Sequence, residues 1–344
     1  MTDKVATAAN ERPRARLVDI DVAKGLGMLL VVFGHLVQTN SPGETQGYAV
    51  LRDAIYTFHM PFFMYLSGFV FFLTNGHEAL ARGYRRFVVA RFDRLMLPFL
   101  AFGFLVIVGK YYASRIGEVH DGVSSFSQGV MDVLTNAPDN PSISIWYLVV
   151  LFSYCIITPL LWRAVGRKAG LLLVVAAAMI AIAYLGPVTE RFYLARILRF
   201  FLFFAVGGVA ALRRDHYYPL LRRIAWPCLA LLVVLIVFFG RTHYALVFCG
   251  LLSAPALHGI VLTPAITRST LLRWVGDNSM AIYLMNTIFI GVAKLVWLKV
   301  LPVQGGWNPA FLVALMTAGV AGPVVVRMVV QRITGIRFFA RYLA

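Results

Sequence analysis

The chain has 344 residues, 60% of them hydrophobic and only 14% charged, where a water-soluble domain is nearer half apolar and a quarter charged. Its 32 basic residues against 15 acidic ones give a net charge of +17, but these cations punctuate apolar runs instead of covering one solvated face, so the charge does not describe a nucleic-acid surface. Cys155, Cys228 and Cys249 each lie inside an apolar run with no CxxC or Cys/His spacing, which argues against a disulfide framework and against a bound metal.

Runs of about 18 or more apolar residues are long enough to cross a hydrocarbon layer at ~1.5 Å per residue. Residues 1–16 carry Arg12, Arg14 and Arg16 ahead of the first such run, the order of a signal peptide. The run itself contains Asp21, Lys24 and His35, and no small-residue cleavage site follows, so it reads as the first helix of the mature protein. Breaks at charged and Gly/Pro-rich segments then predict ten transmembrane helices: 17–38, 53–74, 95–113, 144–162, 169–186, 194–212, 224–240, 243–263, 278–299 and 309–330. The expected fold is an all-α integral membrane bundle forming one domain over 1–344. No internal repeat and no low-complexity tract interrupts it.

The even number of spans puts both termini on one side. One set of loops (the N-terminal tail 1–16, then 75–94, 163–168, 213–223, 264–274 and the tail 332–344) holds 21 of the 32 basic residues, so that side is expected to be cytoplasmic. The opposite loops hold few cations, chiefly Arg52, Arg115, Arg191 and Arg241, among Glu44, Asp53, Glu118, Asp121, Asp132, Asp139 and Glu190. The longest of them, about 114–143, is too polar to span and too short for a second domain, and could cover an outward-facing site.

An ionisable group in mid-membrane costs about 2.5–3.5 kcal/mol on insertion scales, so each needs a partner or a purpose. At 100° per residue, positions 21, 24, 28, 31 and 35 form one stripe that puts Asp21, Lys24 and His35 on a single face of the first helix. Lys24 and His35 are about 16 Å apart along the axis and serve different ends of one path. Lys24 could instead snorkel to the interface with Asp21 as its i,i+3 partner, and His35 could simply pack helices. In the second helix, Phe58-His59-Met60-Pro61-Phe62-Phe63 places His59 at similar depth to His35, with Pro61 able to bend the helix. Two imidazoles in a partly dry pocket could supply a general base and a group that orients its substrate. Arg91-Phe92-Asp93-Arg94, at the start of the third helix, is either inner-face anchoring or a phosphate clamp. Arg196 and Arg199 form a further intramembrane pair that could hold an anionic or carbonyl group, or only cap helix ends.

These residues also carry a resemblance. Asp21-Val22-Ala23-Lys24-Gly25, Val31-Val32-Phe33-Gly34-His35, His59-Met60-Pro61 with Ser67-Gly68-Phe69, Arg91 to Arg94 before Leu97-Pro98, Ile145-Trp146-Tyr147-Leu148, Phe201 to Phe204 with Gly207-Gly208, and Val275-Gly276-Asp277-Asn278-Ser279 together resemble the membrane acyltransferase 3 family, and within it the fucose 4-O-acetylase-like branch. The resemblance implies a ten-helix bundle in a bacterial inner membrane. It would take an acyl group, usually acetyl from acetyl-CoA, and place it on a carbohydrate hydroxyl of exopolysaccharide, O-antigen or a lipid-linked sugar. It implies catalysis at His35 with His59 in support and acyl-CoA binding at Lys24, Arg91 and Arg94. Asp21, Trp146, Arg196, Arg199 and Asn286 would assist, with no bound cofactor and membrane lipid as the surroundings. Two positions depart from the family pattern. Lys24 replaces an arginine, keeping the charge but losing the planar fork. In Tyr283-Leu284-Met285-Asn286 the last residue replaces a histidine, and Asn286 cannot act as a base. The alternative reading of the intramembrane His and Lys groups is a transporter or flippase of lipid-linked sugars.

Overall fold

The computed structural model describes residues 18–39, 41, 43–113, 126–135, 145–240, 242–301, 309–333 and 341–343. Its regular structure is helical: α1 (Val18–His35), α2 (Gln46–Tyr56), α3 (His59–Leu73), α4 (Tyr84–Arg91), α5 (Leu97–Ala113), α6 (Phe126–Thr135), α7 (Trp146–Ala164), α8 (Ala169–Leu185), α9 (Leu194–Leu212), α10 (Arg214–Phe239), α11 (His243–Val261), α12 (Thr270–Asp277), α13 (Ser279–Val300) and α14 (Pro309–Arg332). Among the described residues, eight helical segments are long and apolar enough to cross a membrane. The other two expected spans are present as helices but fall short of that standard. Ala169–Leu185 has 17 residues, and Val18–His35 carries Asp19, Asp21 and Lys24. Large apolar side chains such as Val233, Val237, Phe238 and Phe239 of α10 and Val292, Leu295 and Val296 of α13 face outward, the surface a bilayer solvates and water does not.

Several boundaries differ from those read in the sequence, each for a local reason. The second span is a 28-residue segment broken into α2 and α3. Thr57 turns its hydroxyl back to the Ala54 carbonyl at 2.6 Å, Phe58 leaves the helical region at φ −136°, and α3 then starts afresh at His59. Pro61 therefore falls in a first turn, where its missing N–H has no intrahelical partner to lose, and it starts a helix where a bend was expected. The third span begins at Tyr84, not 95, and passes through a π turn over Phe92–Met96, so Arg91 and Arg94 lie within a continuous helical segment. The seventh begins ten residues early, at Arg214. Part of the expected outer loop is the helix Phe126–Thr135; the rest of 114–143 lies outside the described residues.

Helix pairs α3–α9, α10–α11, α13–α14, α8–α9 and α1–α12 build the bundle. Two of these contacts are backbone against backbone. A Cβ on Gly68 would stand 1.9 Å from the Phe204 carbonyl oxygen and one on Gly207 1.9 Å from that of Tyr65, locking α3 to α9. Likewise a Cβ on Gly25 would stand 1.8 Å from the Leu272 oxygen and one on Gly276 1.9 Å from that of Asp21. Small residues permit this approach, and in a bilayer, where lipid is as apolar as leucine, close van der Waals packing holds helices together. The second crossing fixes the rotation of α1 and with it the direction of its polar stripe.

Candidate active site

The stripe on α1 faces two cavities. The first, of about 350 Å³, is lined by Asp21, Lys24, Met28 and Val31 of α1 together with Arg91, Arg94, Ser67, Tyr147 and Tyr283. The second, of about 770 Å³, is lined by Val31 and His35 with His59, Arg52, Trp146, Arg196, Tyr283 and Lys294. Val31, Met60 and Tyr283 border both, so the cavities adjoin at a neck made by these three side chains. Lys24 and His35, which the stripe put on one face, thus open into different chambers on either side of it.

In the first chamber Lys24 reaches Asp21 at 3.5 Å, one turn away on its own helix. Arg91 lies over the Phe87 ring at 5.1 Å, and Arg94 borders the same space from the π turn. Asp93, between them, is drawn off by Arg341 at 3.2 Å and the Tyr342 hydroxyl at 3.0 Å, so it does not neutralise the pair from inside the cavity. Lys24, Arg91 and Arg94 thus share with the carboxylates Asp21 and Asp277 a space also lined by Met28, Val31, Met60, Phe63 and Leu66, so its cations outnumber its anions by one. A long ligand with an anionic head and a narrow apolar arm fits that gradient. Near the neck, Tyr147 and Ser67 join their hydroxyls in a short hydrogen bond, and the Ser67 hydroxyl also meets the Phe63 carbonyl at 2.8 Å.

In the second chamber the end of α1 is held from outside. A helix C-terminus leaves carbonyls without intrahelical donors, and here α2 supplies them. The Tyr48 hydroxyl donates to the Phe33 carbonyl at 2.7 Å, the Tyr56 hydroxyl to that of Gly34 at 2.6 Å, and Arg52 Nη1 to that of Val37 at 3.3 Å. His35 is fixed between these caps. Its Nδ1 lies 3.1 Å from Asn286 Oδ1, while Asn286 Nδ2 donates to the carbonyls of Ile282 at 2.8 Å and Tyr283 at 3.0 Å. Because the amide nitrogen is committed to two acceptors, Oδ1 is the atom that faces His35, and Nδ1 must be the ring's donor. The lone pair is then on Nε2. His59 borders the same cavity, its Nδ1 donating to the Ile55 carbonyl at 2.9 Å and its ring 5.1 Å from Tyr56.

Arg196 and Arg199 are separated by the fold. Both pair with Glu190, at 3.3 and 3.6 Å, but Arg196 lies over the Trp146 ring at 5.0 Å and lines the second cavity, whereas Arg199 lies over Tyr184 and borders neither. Sequence reasoning missed Tyr48, Arg52, Tyr56, Tyr147, Tyr283 and Lys294. Arg52 and Lys294 were detectable as charges in apolar surroundings; the tyrosines carry no signal of that kind. It also overlooked a buried group away from both chambers, in which Asp19 accepts from Tyr218 at 2.8 Å and lies 3.3 Å from His258, whose other ring nitrogen is 2.7 Å from the Tyr65 hydroxyl.

A family model described as "Acyltransferase domain" (Acyl_transf_3) matches residues 17–328. The nodulation protein NolL of Sinorhizobium fredii (strain NBRC 101917 / NGR234) is 26% identical over 238 residues, which cover 67% of this chain and 59% of that protein. The chain therefore matches less than two thirds of that relative's length. No solved structure matches. The family match takes in all three helices that build the neck, α1 with its stripe among them, and Asn286 opposite His35, and it covers nearly the whole bundle: the chain belongs to the acyltransferase 3 family of multi-pass membrane acyltransferases.

Proposed function

We propose that the protein moves an acyl group, acetyl in the simplest case, from acyl-CoA to a hydroxyl of a cell-surface carbohydrate, across the neck between the two chambers. The carrying observation is the adjoining of a cationic chamber to one that holds a histidine oriented by Asn286. The phosphates of the donor rest against Lys24, Arg91 and Arg94, and the pantetheine arm runs along the apolar floor to Val31 and Met60. The acceptor occupies the second chamber.

There the acceptor oxygen attacks the thioester carbonyl carbon while His35 Nε2 takes the hydroxyl proton. The Tyr283 hydroxyl accepts the Tyr147 backbone N–H at 3.3 Å and keeps its own proton for the oxyanion of the tetrahedral adduct. Collapse breaks the C–S bond, and the proton on His35 passes to the departing thiolate, leaving an O-acyl ester and free CoA. His59 and Trp146 hold the acceptor, and Arg196 steadies Trp146. The excess of basic residues on the Lys24 side supports a cytoplasmic position for it, in keeping with a CoA donor inside a bacterial inner membrane and an acceptor outside it.

The test is transfer of labelled acetyl from acetyl-CoA to the glycan fraction by protein in native membranes or nanodiscs. His35→Ala protein that inserts like the wild type should show no transfer above background, and wild-type transfer by it would overturn the mechanism. Arg91→Gln combined with Arg94→Gln should raise the KM for acetyl-CoA at least about tenfold. A transporter or flippase of lipid-linked sugars would consume no acetyl-CoA at all.

A further inference from the structure

The second chamber is one-signed. Its described lining includes Arg52, Arg196 and Lys294 and no carboxylate. Two of these cations have carboxylate partners behind the wall: Arg52 has Glu44 at 2.8 Å and Asp53 at 3.3 Å, and Arg196 has Glu190 at 3.3 Å, which it shares with Arg199. Lys294 is different. Its ammonium donates to the Ser41 hydroxyl at 2.9 Å, a neutral partner, and no carboxylate among the described residues lies within ion-pair distance of it. It stands inside a candidate membrane span, Ser279–Val300, where an ammonium without a counter-ion is costly.

Its direction is set by α13. Tyr283, Thr287, Ile290, Gly291 and Lys294 all line the chamber and follow the i, i+4, i+7, i+8, i+11 rule of one helical face. Lys294 is therefore about 16 Å along the axis from Tyr283 at the neck, with room between them for more than one sugar ring. We propose that the acceptor is anionic, and that Lys294 binds its carboxylate or phosphate at the far end of the chamber while a hydroxyl lies at His35. The proposal rests on the acyl-transfer reading of the chamber. Charge-assisted hydrogen bonds to an ammonium recognise either anion, so the group could belong to a uronic acid of the glycan or to the phosphate of a lipid carrier.

Labelled acetyl-CoA and wild-type membranes give an acetylated product whose charge reports the answer. The product should be retained on an anion exchanger at neutral pH. At about pH 2 a carboxylate, with a pKa near 4, loses its charge and its retention, whereas a phosphate diester or pyrophosphate stays bound, which separates the two sources. Lys294→Gln should raise the KM for the acceptor about tenfold without raising that for acetyl-CoA, Lys294→Arg should recover most of the loss, and added salt should weaken acceptor binding in the wild type more than in Lys294→Gln. A labelled product that passes unretained, or an unchanged acceptor KM in Lys294→Gln, overturns the proposal and leaves acyl transfer standing. Absence of any His35-dependent label defeats the acyl-transfer reading instead. In that event saturation-transfer NMR on purified protein still decides the anion site: glucuronate or glucose 1-phosphate should bind where glucose does not, and Lys294→Gln should abolish the difference. Equal signals from all three sugars, or none, refute it.

Discussion

Asn286→Leu removes one acceptor from a fully buried site and little volume. In the wild type the amide oxygen takes the Nδ1–H of His35 at 3.1 Å, and the amide nitrogen is spent on Ile282 and Tyr283. Leucine leaves the Nδ1–H without a partner, which costs about 1–3 kcal/mol for a buried donor. The ring can avoid that cost by moving its proton to Nε2, the nitrogen that has to be vacant to accept one. Either way the reactive tautomer is disfavoured by that amount, and at ~1.36 kcal/mol per factor of ten kcat should fall about fivefold to 150-fold. The KM for acetyl-CoA should hold, because Asn286 borders no part of the Lys24 chamber. The assay is initial-rate acetyl transfer in nanodiscs with acetyl-CoA varied at saturating acceptor. A wild-type kcat would refute the tautomer argument, and a raised KM for acetyl-CoA with unchanged kcat would show that Asn286 acts on the bundle and not on the ring.

Three further outcomes follow from other parts of the fold. Tyr283→Phe deletes a hydroxyl at the neck and should lower kcat by about 10²-fold or more with normal expression and melting temperature; an unaltered rate removes Tyr283 from oxyanion stabilisation. Gly25→Ala forces a methyl to 1.8 Å from the Leu272 oxygen, so α1 and α12 must separate, and the variant should melt lower in detergent and bind acetyl-CoA more weakly than Gly170→Ala, where a Cβ meets nothing within 4 Å. His77, in the short turn after α3, is stacked on Phe72 at 4.5 Å. Burial, with Arg82 and Arg167 nearby, holds it below its ordinary value of 6.5 against the opposing pull of Glu78. The folded state prefers the neutral ring, so its contribution is present above about 6.5 and is lost as pH falls through that value toward the lower folded one. Melting temperature should drop on that acid limb, and His77→Phe should flatten it.

The stripe of α1 was legible because one helix, read at 3.6 residues per turn, contains its own evidence: Asp21, Lys24 and His35 share a face by geometry alone. The ten helical segments were legible for the same reason, since length and hydropathy are local. What escaped the sequence depends on distance along the chain. His35 and Asn286 are 251 residues apart, and nothing near either one announces the other. Arg196 and Arg199 look equivalent in sequence, yet three residues of helical rotation and a single Glu190 give one of them a cavity wall and the other a tyrosine. The division of the second span at Thr57 and Phe58 was hidden behind Pro61, the stronger local signal, because a proline that starts a helix and one that bends it read alike until the residues before it are placed.

The neck has one more consequence. Among the described residues, the two cavities share Val31, Met60 and Tyr283 as lining, so any path from one to the other runs between these side chains. If the proposed acyl transfer runs between the two cavities, the same three side chains have to pass a thin acyl arm and still keep the bundle closed to water and ions. Two apolar side chains and an aromatic ring suit both demands. Insulation of the membrane thus sets an upper limit on how wide this passage can be, and so on how bulky an acyl group it can admit.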